Sequence, residues 1–459
     1  MTSGAIAERW SVRLHELAAE EEVPGAALGV WAEGQEIAAA AHGVLNAETG
    51  VRATADSLFQ IGSVTKVWTT TMIMQLIDEG RLSLDTTVAE ILPGIRLGRD
   101  DGSAEIRIRH LLTHTSGVDG DIFTNTGRGD DCIERYAGEL AETARIFPPG
   151  AAFSYCNSGF VLLGRIIEVL DGRIWDVSLR KRLTGPLGLT RTVTLPEEAI
   201  RYRTATGHRE HPRQNQPVSV WGLPRSAGPA GGITAGVQDM LAFARLHLDG
   251  GVTQDGTRLL SQASAEAMQQ QRAEIPGLGN SAAAIGLGWM LHRWDGRRIL
   301  GHDGGTIGQT AYLRIDPEAR VAACLLTNSP QSQSLFRRLF SEVFGTYAGV
   351  TVPASPEPAL GPEDLHLERH TGRYERTSCW YDVWVREGRL HLVSGVSGEF
   401  AAFSDEGPHE FDLHPADGTG DNFVWRADDR QPWLPLIFDR LGDQAPYLYL
   451  GGRITPRVG

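Results

Sequence analysis

Apolar and polar residues alternate along this chain with periods that change twice, and each change marks a shift in architecture. Residues 1–25 read as an amphipathic helix rich in Glu and Ala. Two apolar runs at 26–32 and 35–43 flank Glu33-Gly34, the pattern of a β-hairpin. A helix is predicted over 63–79, with Val67, Thr70, Met74 and Ile77 on its buried side and Gly80 as its stop. An apolar segment through Leu82, Leu84 and residues 88–92 ends at Pro93-Gly94. From 103 to about 285 the spacing is mostly helical, with helices predicted over 132–143, 158–170 and 237–248.

Strand-like segments then return at 287–294, 298–301, 309–315 and 321–327. Asp295-Gly296 and Asp316-Pro317-Glu318 serve as turns among them, and a helix is predicted over 331–347. Strands at both ends of a segment with helices between them predict an α/β domain: one antiparallel sheet flanked by helices, with an inserted helical subdomain. The second change follows a proline-rich stretch. Residues 1–350 are therefore read as one domain and 351–365 as a linker. Residues 366–459 are read as a small all-β barrel, with strands at 374–376, 381–386, 389–393, 410–413, 423–426, 434–438 and 447–450.

At 459 residues the chain has ample core for one large and one small domain. A net charge of -14 speaks against nucleic acid or an anionic membrane as partner. No apolar run reaches the roughly 18 residues of a membrane helix, and the first 25 residues lack the features of an export signal, so a cytoplasmic protein is expected. Cys132, Cys156, Cys324 and Cys379 have no metal-type spacing and read as reduced, buried thiols. The acidic pairs Asp100-Asp101 and Asp130-Asp131 read as solvated loops. Neither a metal nor a cofactor is called for.

The chemistry centres on Ser63-Val64-Thr65-Lys66, because Lys66 and Lys181 are the only lysines in the sequence. Arginine suffices wherever a cation is enough. An amine that must release its proton has to be lysine, whose pKa falls when it is desolvated. A serine three residues before it, on the same helix face, is a candidate nucleophile beside its base. A capping serine with a solvated lysine would give the same pattern. Tyr155-Cys156-Asn157 is the second element. Tyr155 held near cations is expected to have a lowered pKa and to act as a base, with Asn157 orienting Lys66 or a substrate carbonyl. A core tyrosine and a capping asparagine are the plainer alternative. The third is Gly-His302-Asp-Gly304-Gly305-Thr306. Its glycines admit a substrate backbone, a backbone N–H completes an oxyanion hole with that of Ser63, and His302 is a switchable donor beside the leaving group.

Jointly these motifs resemble the serine β-lactamase and penicillin-binding-protein superfamily, in its class C-like branch. Residues 110–117 (HLLTHTSG) and 228–235 are similar to that branch as well. The resemblance covers roughly residues 5–350 and implies Ser63 as acylated nucleophile, Lys66 and Tyr155 as proton-transfer partners and Asn157 as positioning residue. It also implies an oxyanion hole from the Ser63 and Gly305 backbone and substrate contacts at Gly304, Thr306 and Gly232. His302 stands where lysine is usual in β-lactamases, and such variants resemble esterases, D-aminopeptidase-like hydrolases and acyltransferases. The last domain resembles a lipocalin-like barrel. With Gly451-Gly452-Arg453 it makes the chain similar to stand-alone penicillin-binding-protein-type thioesterases, which cyclise a nonribosomal peptide taken from a carrier protein. On that resemblance Arg453 is a substrate clamp, although a salt bridge within the barrel is the plainer and favoured reading. The expectation is a serine hydrolase or acyltransferase acting on a peptidyl or acyl ester, thioester or amide, with a D-residue at the acyl site. An esterase or D-aminopeptidase is the alternative, and a β-lactamase or a non-catalytic ligand-binding protein is less favoured.

Overall fold

The computed structural model describes residues 3–99, 101–209, 216–278, 283–359, 365–398, 407–429, 431–443 and 445–458. Asp100 and residues 360–364 of the expected linker lie outside them. The first helix, α1 (Ser3–Glu20), turns Trp10, Leu14 and Leu17 inward, one helical turn apart. The hairpin forms as β1 (Gly25–Ala32) and β2 (Gln35–Asn46), followed by the short β3 (Val51–Arg52). Far along the chain come β4 (Ala273–Glu274), β5 (Ala284–Ile285), β6 (Met290–Trp294), β7 (Arg297–Gly305), β8 (Thr310–Asp316) and β9 (Val321–Thr327). The nine strands lie in the order β3-β2-β1-β9-β8-β7-β6-β5-β4, which joins both ends of the domain in one sheet.

The sheet is covered on both faces, and the sequence of β9 shows why. Val321, Ala323 and Leu325 point into the layer holding α1 and α6 (Gln333–Tyr347), while Ala322, Cys324 and Leu326 point to the opposite core. A strand buried on both sides reads as an unbroken apolar run. On that second side lie α2 (Thr65–Asp78), α3 (Asn157–Asp171), the short α4 (Gly228–Gly231) and α5 (Val237–Leu248). Every residue of α2 from Thr65 to Leu76 is buried, so this helix is central and not the one-sided element that its spacing predicts.

Two boundaries differ from expectation for identifiable reasons. The strand expected from 287 starts at Met290, because the Gly286 N–H closes a tight turn onto the Trp289 carbonyl. The strand expected to end at 301 continues to Gly305 on pairing with β8 alone, since β6 stops opposite Gly301. The free edge of residues 302–305 faces the site described below.

The C-terminal region is an eight-stranded antiparallel meander: β10 (Gly372–Arg376), β11 (Cys379–Arg386), β12 (Arg389–Val396), β13 (His409–Pro415), β14 (Asn422–Trp425), β15 (Leu434–Arg440), β16 (Pro446–Leu450) and β17 (Arg453–Pro456). The last strand is absent from the sequence reading. It is only four residues long and follows β16 through a two-glycine turn. A bridge between Tyr374 and Arg457, with the Val458 N–H on the Arg373 carbonyl at 2.8 Å, nearly closes the barrel. A small core of Phe147, Phe153 and Tyr155 with Tyr447, Tyr449 and Ile454 joins barrel to sheet domain. No helix among the described residues is long and apolar enough to cross a membrane.

Candidate active site

Ser63 sits in a single 3-10 turn, Gly62–Val64, that feeds directly into α2. Lys66 follows in the first turn of the helix and is fully buried, with its Nζ 2.9 Å from Ser63 Oγ. The same amine donates to the Ala230 carbonyl of α4 at 2.6 Å. Burial, and after it the charge of Arg453, drives the Lys66 pKa well below that of a free lysine. A neutral amine keeps one lone pair. With one N–H given to Ala230, the lone pair is free to accept the Ser63 proton.

Tyr155 and Asn157 flank the start of α3. The Tyr155 hydroxyl is buried and within reach of Ser63, yet off the geometry of a formed hydrogen bond. Lys66 Nζ and the Arg453 guanidinium lie 4.9 Å and 4.8 Å from the centre of its ring. The Arg453 charge does not bring its pKa below the ordinary value as the sequence suggests. Desolvation dominates and holds the phenol well above its ordinary value, against the opposing effects of Ser63 and Arg453. Asn157 does not hold Lys66: its Nδ2 donates to Asp121 at 2.6 Å. Cys156 caps α3 by accepting the Gly159 N–H, and burial pushes its thiol up to about 11. Beneath Tyr155 lies His114, stacked at 4.2 Å between centroids, with Nδ1 accepting the Cys156 N–H. Its only sequence signal is its place in the HLLTHTSG stretch.

The free edge of β7 closes the site from the other side. A β-carbon on Gly304 would lie 1.9 Å from the Ile61 carbonyl oxygen, and one on Gly62 (φ +50) 2.7 Å from the Gly305 nitrogen. Only glycine lets these backbones meet. Thr306 donates to the Gln309 carbonyl, so the neighbouring Gly305–Thr310 pair is of the non-hydrogen-bonded kind. The Gly305 N–H therefore points away from β8. We predict that Gly304→Ala lowers stability by roughly 1–3 kcal/mol and turnover with it, as read by thermal unfolding and ester hydrolysis. Unchanged values would mean that the two backbones do not meet.

His302 is buried, and its Nδ1 donates to the Asp303 carbonyl at 2.7 Å. Burial, reinforced by Lys66, lowers its pKa to about 4, so the switch expected near neutral pH is absent. The remaining nitrogen, Nε2, is buried without a partner among the described residues and is an acceptor in the neutral ring. Thr306 Oγ1 is likewise buried and unpaired.

Ser63, Tyr155, Asn157, His302, Gly304, Gly305, Thr306 and Arg453 all line one cleft of about 1200 Å³. Gly232 does not. It caps α4 on the Gly228 carbonyl, and Ala230 and Gly231 form that wall instead. A backbone carbonyl such as that of Ala230 leaves no mark in a sequence.

The barrel contributes directly. Its β16–β17 turn receives the Tyr155 N–H on the Gly452 carbonyl at 2.8 Å and sends the Ile454 N–H to Ser154 Oγ at 3.1 Å. Arg453 donates through Nε to Asp121 at 2.7 Å, and Arg376 donates to the same carboxylate at 2.8 Å. Burial alone would raise the Asp121 pKa, but the charges of Arg453 and Arg376 outweigh it and hold the carboxyl far below its usual range. Arg453 is thus salt-bridged to a carboxylate of the sheet domain, not within the barrel, and it lines the cleft.

The chain matches the protein family described as Beta-lactamase over residues 12–344. It is 46% identical to "Penicillin-binding protein 4" of Amycolatopsis lactamdurans, across 80% of this chain and 97% of that one. SurE, solved alone, superposes with a TM-score of 0.79 at 29% identity over 100% of both chains. Its structure with D-Leu gives 0.73 at 28%, over 99% of this chain and 100% of that one. D-amino acid amidase of Ochrobactrum anthropi SV3 shares the fold, with a TM-score of 0.62 at 23% identity over 74% of this chain and 99% of its own.

Proposed function

This chain belongs to the β-lactamase family of serine hydrolases, which includes penicillin-binding-protein homologues, and from that membership we propose that it is a peptidyl acyltransferase working through an acyl-Ser63 intermediate. The observation that carries the reading is the buried Lys66 amine 2.9 Å from Ser63 Oγ, with its pKa held well below that of a free lysine by burial. Lys66 takes the hydroxyl proton as Oγ attacks the substrate carbonyl carbon. The resulting oxyanion is met by the N–H groups of Ser63 and Gly305, which the Gly304–Ile61 contact holds side by side. The carbon–leaving-group bond then breaks. The departing thiolate, alkoxide or amine takes its proton from the Tyr155 hydroxyl, which Lys66 replenishes. A protonated phenol suits that task, and its high pKa is consistent with it. In the second half an amine or water attacks the acyl carbon and passes its proton back along the same pair, and Ser63 leaves protonated.

Asn157, anchored by Asp121, presents its amide to the substrate. His302 offers an uncharged acceptor in place of an ammonium, which favours substrate N–H groups over the carboxylate of a β-lactam. A cleft of about 1200 Å³ accommodates a peptide, and the similar SurE, solved with D-Leu, supports a D-residue at the acyl site. With an amine of the same peptide as acceptor the product is a macrocycle, and a carrier-bound thioester is the donor this reading favours. Hydrolysis of esters or D-aminoacyl amides by the same residues, with water as the acyl acceptor, is the second reading.

The test is direct. A fluorophosphonate should add its mass to the peptide containing Ser63, and p-nitrophenyl butyrate should be turned over. A D-alanyl thioester with an added amine should give amide in excess of acid. Folded protein with neither adduct nor turnover rejects the proposal, and acid alone selects the hydrolase reading.

A further inference from the structure

An eight-stranded barrel has an interior that side chains can just fill or that holds one small ligand. Part of this barrel is filled: Tyr374, Phe423, Phe438 and Leu448 pack together in its core. The part that meets the sheet domain is open, with a cavity of about 610 Å³. Its walls are apolar, formed chiefly by Tyr381, Leu392, Phe411, Leu413, Trp425 and Leu436. Cavity and catalytic cleft are neighbours, since Phe123, Val396, Trp425, Gly451 and Arg453 border both.

Two hydrogen-bond donors on the cavity wall, Trp425 Nε1 and Arg376 Nε, are buried and have no partner among the described residues. A buried donor without an acceptor is costly, so an occupant with a carbonyl oxygen would be stabilised there. The charges, by contrast, are matched. Arg376 and Arg453 face Asp121, and Asp119 lies 3.8 Å from Arg376, two carboxylates for two guanidiniums. Nothing therefore calls for a charged ligand.

We propose that this barrel cavity is a substrate subsite taking an uncharged, apolar residue of the peptidyl chain upstream of the carbonyl attacked by Ser63. This rests on the acyl-enzyme reading and adds to it the substrate class: peptides with an apolar residue some distance from the acyl end. A peptide amide supplies the two features the cavity asks for, an apolar side chain and a carbonyl acceptor. The barrel then measures the body of the chain while Ser63 handles its end.

The experiment compares kcat/KM for two p-nitrophenyl esters, N-acetyl-D-alanine and the same residue extended by five leucines. The wild type should favour the long ester by at least about tenfold, mostly through KM. Leu436→Trp, which fills the cavity and lies outside the cleft lining, should bring that ratio close to one. Trp425→Phe, which keeps the ring and removes one donor, should reduce it several-fold and serves as the deciding variant if Leu436→Trp does not fold. A wild-type ratio near one, or a ratio unchanged in a folded variant, overturns the subsite. Because the short ester is turned over in either case, that result leaves the acyl-enzyme reading standing. Loss of both esters in the wild type would instead sink the catalytic reading, and the subsite with it.

Discussion

Lys66→Met is expected to lower kcat/KM for any acylating ester by about 10²–10⁴-fold, the range removed with a general base, while the protein stays folded. Methionine matches the lysine stem in length and removes only the basic nitrogen. Ser63→Ala should bring turnover to background and abolish the fluorophosphonate adduct. The hydrogen bond to Ala230 is the main structural cost, about 0.5–1.5 kcal/mol. The pH dependence has a definite sign. The active amine is unprotonated, so the acylation rate rises with pH through the folded pKa of Lys66, which lies below the ordinary 10.5. Stability follows the same direction. Between the folded and unfolded values the unfolded chain binds a proton that the native state excludes, so stability increases with pH there and is lost as pH falls through the folded pKa. Denaturant titrations at several pH values should show this slope in the wild type and a smaller one in Lys66→Met. An unchanged rate limb in the variant would remove Lys66 from the mechanism.

How far the sequence carries this picture depends on the range of the interaction concerned. The hairpin at β1–β2, the helix at 237–248 and the strand at 321–327 are legible because spacing and turn residues lie within a few positions of one another. The pairing of Ser63 with Lys66 is legible for the same reason, helped by the scarcity of lysine. Burial is not local, and here it reverses two expectations. Tyr155 lies near the Arg453 guanidinium and still has a raised pKa, and burial lowers that of His302 to about 4. In both cases desolvation by the surrounding fold exceeds the charge effects that neighbouring residue types suggest. Asp121 is illegible for a further reason. It stands in a loop beside Asp119 with no spacing that marks a site, and its arginine partners lie 255 and 332 residues away in another sheet.

Asp121 joins these distant pieces, and its variants should move the chemistry in a way that loose packing alone does not. Its carboxylate raises the Lys66 pKa, while Arg453 lowers it. Asp121→Asn removes the first effect and Arg453→Met the second. The rising limb of the acylation pH profile should therefore shift to lower pH in Asp121→Asn and to higher pH in Arg453→Met. Asp121→Asn also leaves Arg376 and Arg453 without their shared counter-ion, a change that costs about 3–5 kcal/mol in buried pairs. Arg453 is only partly covered, with 26% of its side chain exposed, so the lower end applies. Calorimetry should show a lower transition for the barrel, whose hold on the sheet domain runs through this carboxylate and the small aromatic core beside it. In the double variant the two pH shifts should largely cancel, and the stability losses should be less than additive, as for residues in one network. Two pH shifts in the same direction, or none in either variant, would mean that Asp121 only holds the barrel in place and has no electrical part in setting the base.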